Sequence, residues 1–171
     1  MFRSVDDFES IWKSESENTL KVLESLTPES LSQSVADDHR NIGRIAWHNV
    51  LTIPEMMSLT GLQFSGISAN DPIPDRPEKI VEAYRSAASD LLKQIKSRWD
   101  DAALLLEDDM YGMKWKKGFT LYILVVHQAH HRGQLTVLMR QAGLNVPGVC
   151  GPSKEESVSY THLTLPTKRI V

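Results

Sequence analysis

The stretch "FTLYILVVHQAHHRGQLTVLMRQAGL", residues 119–144, decides the fold. Its first eight residues are aromatic and β-branched, and taken alone they read equally well as a buried strand. The continuation settles the matter, because Leu135, Leu138, Met139 and Ala142 recur at helical steps. Gly143 followed by Leu144 supplies a Schellman-type stop, with Leu144 able to fold back on Met139. A helix from about Phe119 to Ala142 is predicted.

Three earlier segments share that period. From Ser4 to Leu26, the residues Val5, Phe8, Ile11, Trp12, Leu20 and Leu23 form one apolar stripe. Ser4 is placed to cap it, Asp6 and Asp7 favour the positive end of its dipole, and Thr27-Pro28 stops it. A second helix spans Asn41 to Leu62, with Pro54 inside it predicting a kink and Gly61 or Gly66 closing it. The third opens with Asp75 as cap, Pro77 in the first turn and Glu78. It continues through Ile80, Tyr84, Ala87, Leu91 and Ile95 to end near Trp99. Residues 65–77 read as a loop, and in 100–117 Gly112 and the charges leave room for a short helical turn only. The acidic run 107–109 reads as a solvated loop. The prediction is an all-α four-helix bundle occupying residues 1–156.

Composition bounds what such a bundle does. With 171 residues, 41% of them hydrophobic, the chain is long enough to bury one substantial core. A net charge of −3 argues against a nucleic-acid partner, which requires a basic surface. No apolar run approaches the length that spans a membrane, and the acidic N-terminus is unlike a signal peptide. Cys150, the one cysteine, fits a reducing, cytoplasmic setting.

Half of the histidines lie within one turn of the last helix. His127 and His131 are four residues apart and share a face, so their rings can converge on one ion. His130 is displaced from that line and suits a supporting role. The third ligand available is His48, in "IAWHNV", at the apolar edge of the second helix. Three imidazoles leave a fourth position open, as in a catalytic metal site. The competing reading is a set of structural histidines or a solvated polar turn, and spacing leaves both open.

"IAWHNV" together with "HQAHHRGQLTVLMRQAGL" resembles the DinB/YfiT-like family of metalloenzymes, and "VPGVCGPSKEE" is similar to the segment that closes many of its members. The resemblance covers residues 1–156. It implies a four-helix bundle, commonly a homodimer, holding a divalent metal, zinc or nickel, on the positions of His48, His127 and His131. Family members of known activity include thiol transferases using low-molecular-weight thiols and a thiol-dependent isomerase. Two departures stand out. Cys150 replaces a customary aromatic, and "SVSYTHLTLPTKRIV" (157–171) has no helical period and reads as a non-native or disordered tail. His162, Lys168 and Arg169 in it carry no functional weight.

The expectation is a metal-dependent enzyme acting on a small-molecule substrate, moving a supplied thiol onto an electrophile. Metal-dependent hydrolysis is the enzymatic alternative, and a stress-related binding or dimerisation bundle the non-catalytic one. The protease variant of hydrolysis is disfavoured, since Gln128 stands where a zinc-protease helix carries its glutamate base. A di-iron centre is disfavoured because no Glu-x-x-His occurs. Glu55 reads as a base, an outer partner or a solvated carboxylate, and Gln134 as a ligand-orienting or solvent-facing amide. Gly133 reads either as permitting close helix approach, as at a dimer interface, or as a simply tolerated glycine. Trp47, Trp115, Met56, Met57 and Met139 read as packing.

Overall fold

The structure is a computed structural model that describes residues 1–67 and 71–161. Four long helices make the bundle: α1 (Val5–Glu24), α2 (Ile42–Ser58), α3 (Pro77–Arg98) and α4 (Lys117–Gln141). A hairpin of β1 (Glu107–Met110) and β2 (Met113–Lys116) precedes α4, and α5 (Lys154–Thr161) follows it. The main packings are α2 on α4, α1 on α3, α2 on α3 and α1 on α4, so each long helix has two neighbours. Phe8, Trp12, Ile53, Met57, Ile80, Tyr84, Leu91 and Leu124 fill the shared core.

The caps show why the helices begin and end where they do. Ser4 Oγ accepts from Asp7 N at 3.0 Å, and Asn41 Oδ1 accepts from Arg44 N at 2.9 Å, each satisfying an otherwise orphaned donor. At the C-terminal end of α4, Leu144 N donates to Met139 O and Gly143 N to Arg140 O, with Gly143 at φ +74°. That is the expected Schellman pair. α2 carries Pro54 without a break and ends at Ser58, four residues before the expected Leu62; Gly61, at φ +87°, turns the chain away.

Several expectations need correction. The N-cap of α3 is Arg76, which makes Pro77 its first residue, and Asp75 instead reaches Lys79 at 3.3 Å. Ile11 is 45% exposed and lies off the apolar stripe of α1. Residues 100–117 hold a short 3-10 turn, Ala103–Leu105, as expected, but then the two-stranded hairpin. The acidic run 107–109 is one of its strands. Asp108 meets the buried Lys117 at 2.6 Å, and Lys117 Nζ also donates to Thr60 O and stands 4.9 Å from the Trp99 ring centroid. Burial of that ammonium is tolerated because two acceptors and a ring face surround it.

α5 continues to Thr161, into the segment where the sequence showed no helical period. Ser153 Oγ accepts from Glu156 N at 3.2 Å while Glu156 Oε2 accepts from Ser153 N at 3.3 Å, a reciprocal cap that starts this helix. His162, Lys168 and Arg169 lie outside the described residues.

Candidate metal centre

The site sits on the α2–α4 contact. His48 comes from the second turn of α2, and His127 and His131 from successive turns of α4, facing it. Their ring centroids are 5.2 Å (His48–His127), 4.6 Å (His48–His131) and 4.5 Å (His127–His131) apart. One nitrogen from each ring lies within 4.8 Å of the others. The Nε2 atoms of His127 and His131 are 3.3 Å apart. Two nitrogens each about 2.05 Å from a tetrahedral zinc stand about 3.3 Å apart, so this pair has the separation of two ligands of one ion.

The hydrogen bonds leave lone pairs where an ion needs them. Gln134 Oε1 can only accept, and it lies 2.7 Å from Nδ1 of His131. The proton of that ring therefore sits on Nδ1 and Nε2 is a free lone pair. Nδ1 of His127 is buried without a partner among the described residues, so with Nε2 turned toward His131 and an ion, Nδ1 is the nitrogen that carries that ring's proton. Burial is the main reason that His48 and His127 are each pushed down to about 4 from 6.5, with the neighbouring imidazoles and Arg40 adding repulsion. His131 is lowered by burial too, against the opposing pull of Gln134. All three rings are neutral near pH 7, the form that binds metal.

The geometry that holds the ligands is itself hydrogen-bonded. Gln128 is fully buried, and its Nε2 donates to Asn49 O at 2.8 Å and Thr52 Oγ1 at 3.0 Å. Two of the three residues in this cross-link stand beside those histidines in sequence: Asn49 after His48, Gln128 after His127. On the far side of α4, Arg132 is 2% exposed and bonds Glu15 Oε2 at 2.7 Å, Glu15 O at 3.1 Å and Thr19 Oγ1 at 3.1 Å. From the sequence, Gln128 is weighed only against a protease base and Arg132 is given no role, so both structural roles are missed. The signal was the number of polar residues interleaved on a helix that must touch two neighbours.

Other candidates fall elsewhere. Glu55 is exposed and 3.5 Å from Tyr111 Oη, as a solvated carboxylate. His130 is exposed with its ring centroid 4.9 Å from that of His131. Gly133 is exposed, and a Cβ added there would meet none of the described residues. Trp47 is buried in the core, Trp115 packs edge-on against Phe119, and Cys150 is exposed beyond the end of α4.

The chain belongs to the DinB family, whose pattern matches residues 1–164. Among individual relatives, the chain is 42% identical over 160 residues to the uncharacterized protein YrdA of Bacillus subtilis strain 168, covering 94% of this chain and 96% of that one. A DinB-like protein from Bacillus cereus ATCC 10987 superposes with a TM-score of 0.84 at 43% identity, over 87% of this chain and 99% of the other. The DinB-like protein YjoA of Bacillus subtilis shares the fold at a TM-score of 0.64 and 13% identity, over 88% and 98% of the two chains. Among the described residues no helix is long and apolar enough to cross a membrane.

Proposed function

We propose that this protein is a metal-dependent transferase that moves a small thiol onto an electrophilic substrate, with zinc or nickel held by His48, His127 and His131. The observation that carries the reading is the 3.3 Å separation of two Nε2 atoms in a neutral imidazole cluster. A divalent cation there supplies one thing, a thiol kept as thiolate near neutral pH. The chain's own residues do the rest. Gln134 fixes the tautomer of His131, the Gln128 cross-link fixes the spacing of the helices, and burial keeps the rings unprotonated. Cys150, exposed past the end of α4, does not furnish the thiol, so it arrives as a co-substrate.

Hydrolysis is supported less well. Gln128 is committed to the core, and Glu55 is turned to Tyr111. A homodimer is favoured by a separate observation: the outward side of α4 exposes Tyr122 and Val126 at 42% and 44%, with the exposed Gly133 on the same side. The decisive experiment is metal analysis of untagged protein beside the His127→Ala variant. About one equivalent of zinc or nickel in the first and far less in the second is the expected result. Equal metal in both would overturn the ligand assignment. Metal-loaded protein incubated with small thiols and an electrophile then tests the chemistry. No rate above the metal-free control would overturn the transferase reading.

A further inference from the structure

A groove of about 440 Å³ opens beside the imidazoles, between the loop that precedes α2 and the last turns of α4. That volume lies in the range of small-molecule sites. Val35, Ile45, Val137 and Leu138 give it apolar walls, and His131 and Gln134 border it. Val35 and Val137 are 58% and 56% exposed, an unusual placement for two branched hydrophobic side chains that face one opening. The groove therefore reaches the site through the same His131–Gln134 pair that presents a lone pair to the ion.

One strong charge lines this groove. Arg40 is exposed, and among the described residues its guanidinium has no hydrogen bond or ion pair. It lies close enough for its charge to oppose protonation of all three imidazoles. Neighbouring acids do not neutralise it: Asp38 is taken by His39 Nδ1 at 2.6 Å, and Asp37 is not part of the lining. A planar fork of N–H donors beside apolar walls is suited to a carboxylate carried on a hydrocarbon body.

We propose that Arg40 is the anion-recognition residue of this groove, and that the small molecule bound there carries a carboxylate on a short apolar body. The thiol on that molecule rests on the function proposed above; the groove and its guanidinium do not.

Two arms separate the two ideas. In the first, the isotopically labelled full chain, stripped of metal, is titrated with hexanoate and with hexan-1-ol and followed by NMR. Hexanoate should bind about five-fold more tightly at low salt, the preference shrinking as salt rises. Shifts should centre on residues 35–45 and 131–138. Arg40→Gln should abolish the preference and leave hexan-1-ol binding unchanged, while Arg40→Lys should keep part of it. Equal binding of the two probes, shifts centred elsewhere, or a preference that survives Arg40→Gln would overturn the proposal. In the second arm, cobalt-loaded protein is titrated with 6-mercaptohexanoate and 6-mercaptohexan-1-ol, read by the thiolate-to-cobalt absorption. A preference for the acid that disappears in Arg40→Gln, at unchanged metal content, places both groups in one ligand. Absence of the band with either thiol, beside a positive first arm, would overturn the thiol chemistry and leave Arg40 standing.

Discussion

Taking the metal-free chain from pH 7.5 to pH 5 should cost it stability, and the imidazole cluster sets the size of the loss. His48 and His127 are each pushed from 6.5 to about 4 in the folded state, chiefly by burial. In the unfolded chain they return to about 6.5. Between those values the unfolded state binds more protons, so stability rises with pH across the window and is lost as pH falls. At pH 5 an unfolded ring is almost fully protonated and a folded one about a tenth so, a penalty of about 2 kcal/mol per ring before screening. Both residues are only partly buried, and screening by solvent cuts the pair to about 2 kcal/mol together. His131 adds in the same direction. For a chain of this length, about 2 kcal/mol lowers Tm by about 4–8 °C. The lowered carboxylates of Glu9, Asp75 and Glu155 titrate below this window and do not imitate the effect. The assay is thermal unfolding in chelator at a series of pH values, on the wild type and on a His48→Asn, His127→Asn double variant. Most of the slope should vanish in the variant. A slope that survives intact would refute the placement of those two rings in a shared, desolvated cluster.

The remaining expectations are local. Gln134→Ala should weaken metal binding by about 10-fold or more, measured by competition with a chelating dye, because His131 loses its orienting acceptor. Glu15→Ala should destabilise the chain by about 3 kcal/mol in urea unfolding, since it strands a guanidinium that is 2% exposed. Arg132→Met should cost less, because Glu15 can return to water. Gly118→Ala should cost about 1–3 kcal/mol by the same assay, as its Cβ would run into the Phe2 carbonyl oxygen and push the N-terminal segment off the start of α4.

Much of this architecture was readable residue by residue. The four long helices follow from apolar spacing, and the stop of α4 followed from Gly143-Leu144 because only that pair offers a left-handed residue with an apolar residue behind it. His48 was identifiable as a partner for the α4 pair because it sits three residues after Ile45, a buried side chain. The hairpin was not readable. Its turn residues are Tyr111 and Gly112, at φ 55° and 81°, and a tyrosine in that conformation gives none of the usual Asn-Gly or Asp-Gly signal. The structural roles of Gln128 and Arg132 were not readable either, since nothing in their spacing marks them as buried. They are buried because α4 packs against both α1 and α2, which leaves too narrow an outward face to hold every polar residue. Arg40 belongs to a loop, where no periodicity marks which side chains turn toward a cleft.

The amide that bridges the helices next to the ligands works like a dowel through two planks. Sliding α2 by one residue along α4 would move an imidazole about 1.5 Å, close to half the 3.3 Å between the paired nitrogens. Such a slip would also tear Gln128 from both of its acceptors at once. Correct register in the interior and correct spacing of the three imidazoles are thus a single condition, and a chain that packs its middle properly has already brought the rings together.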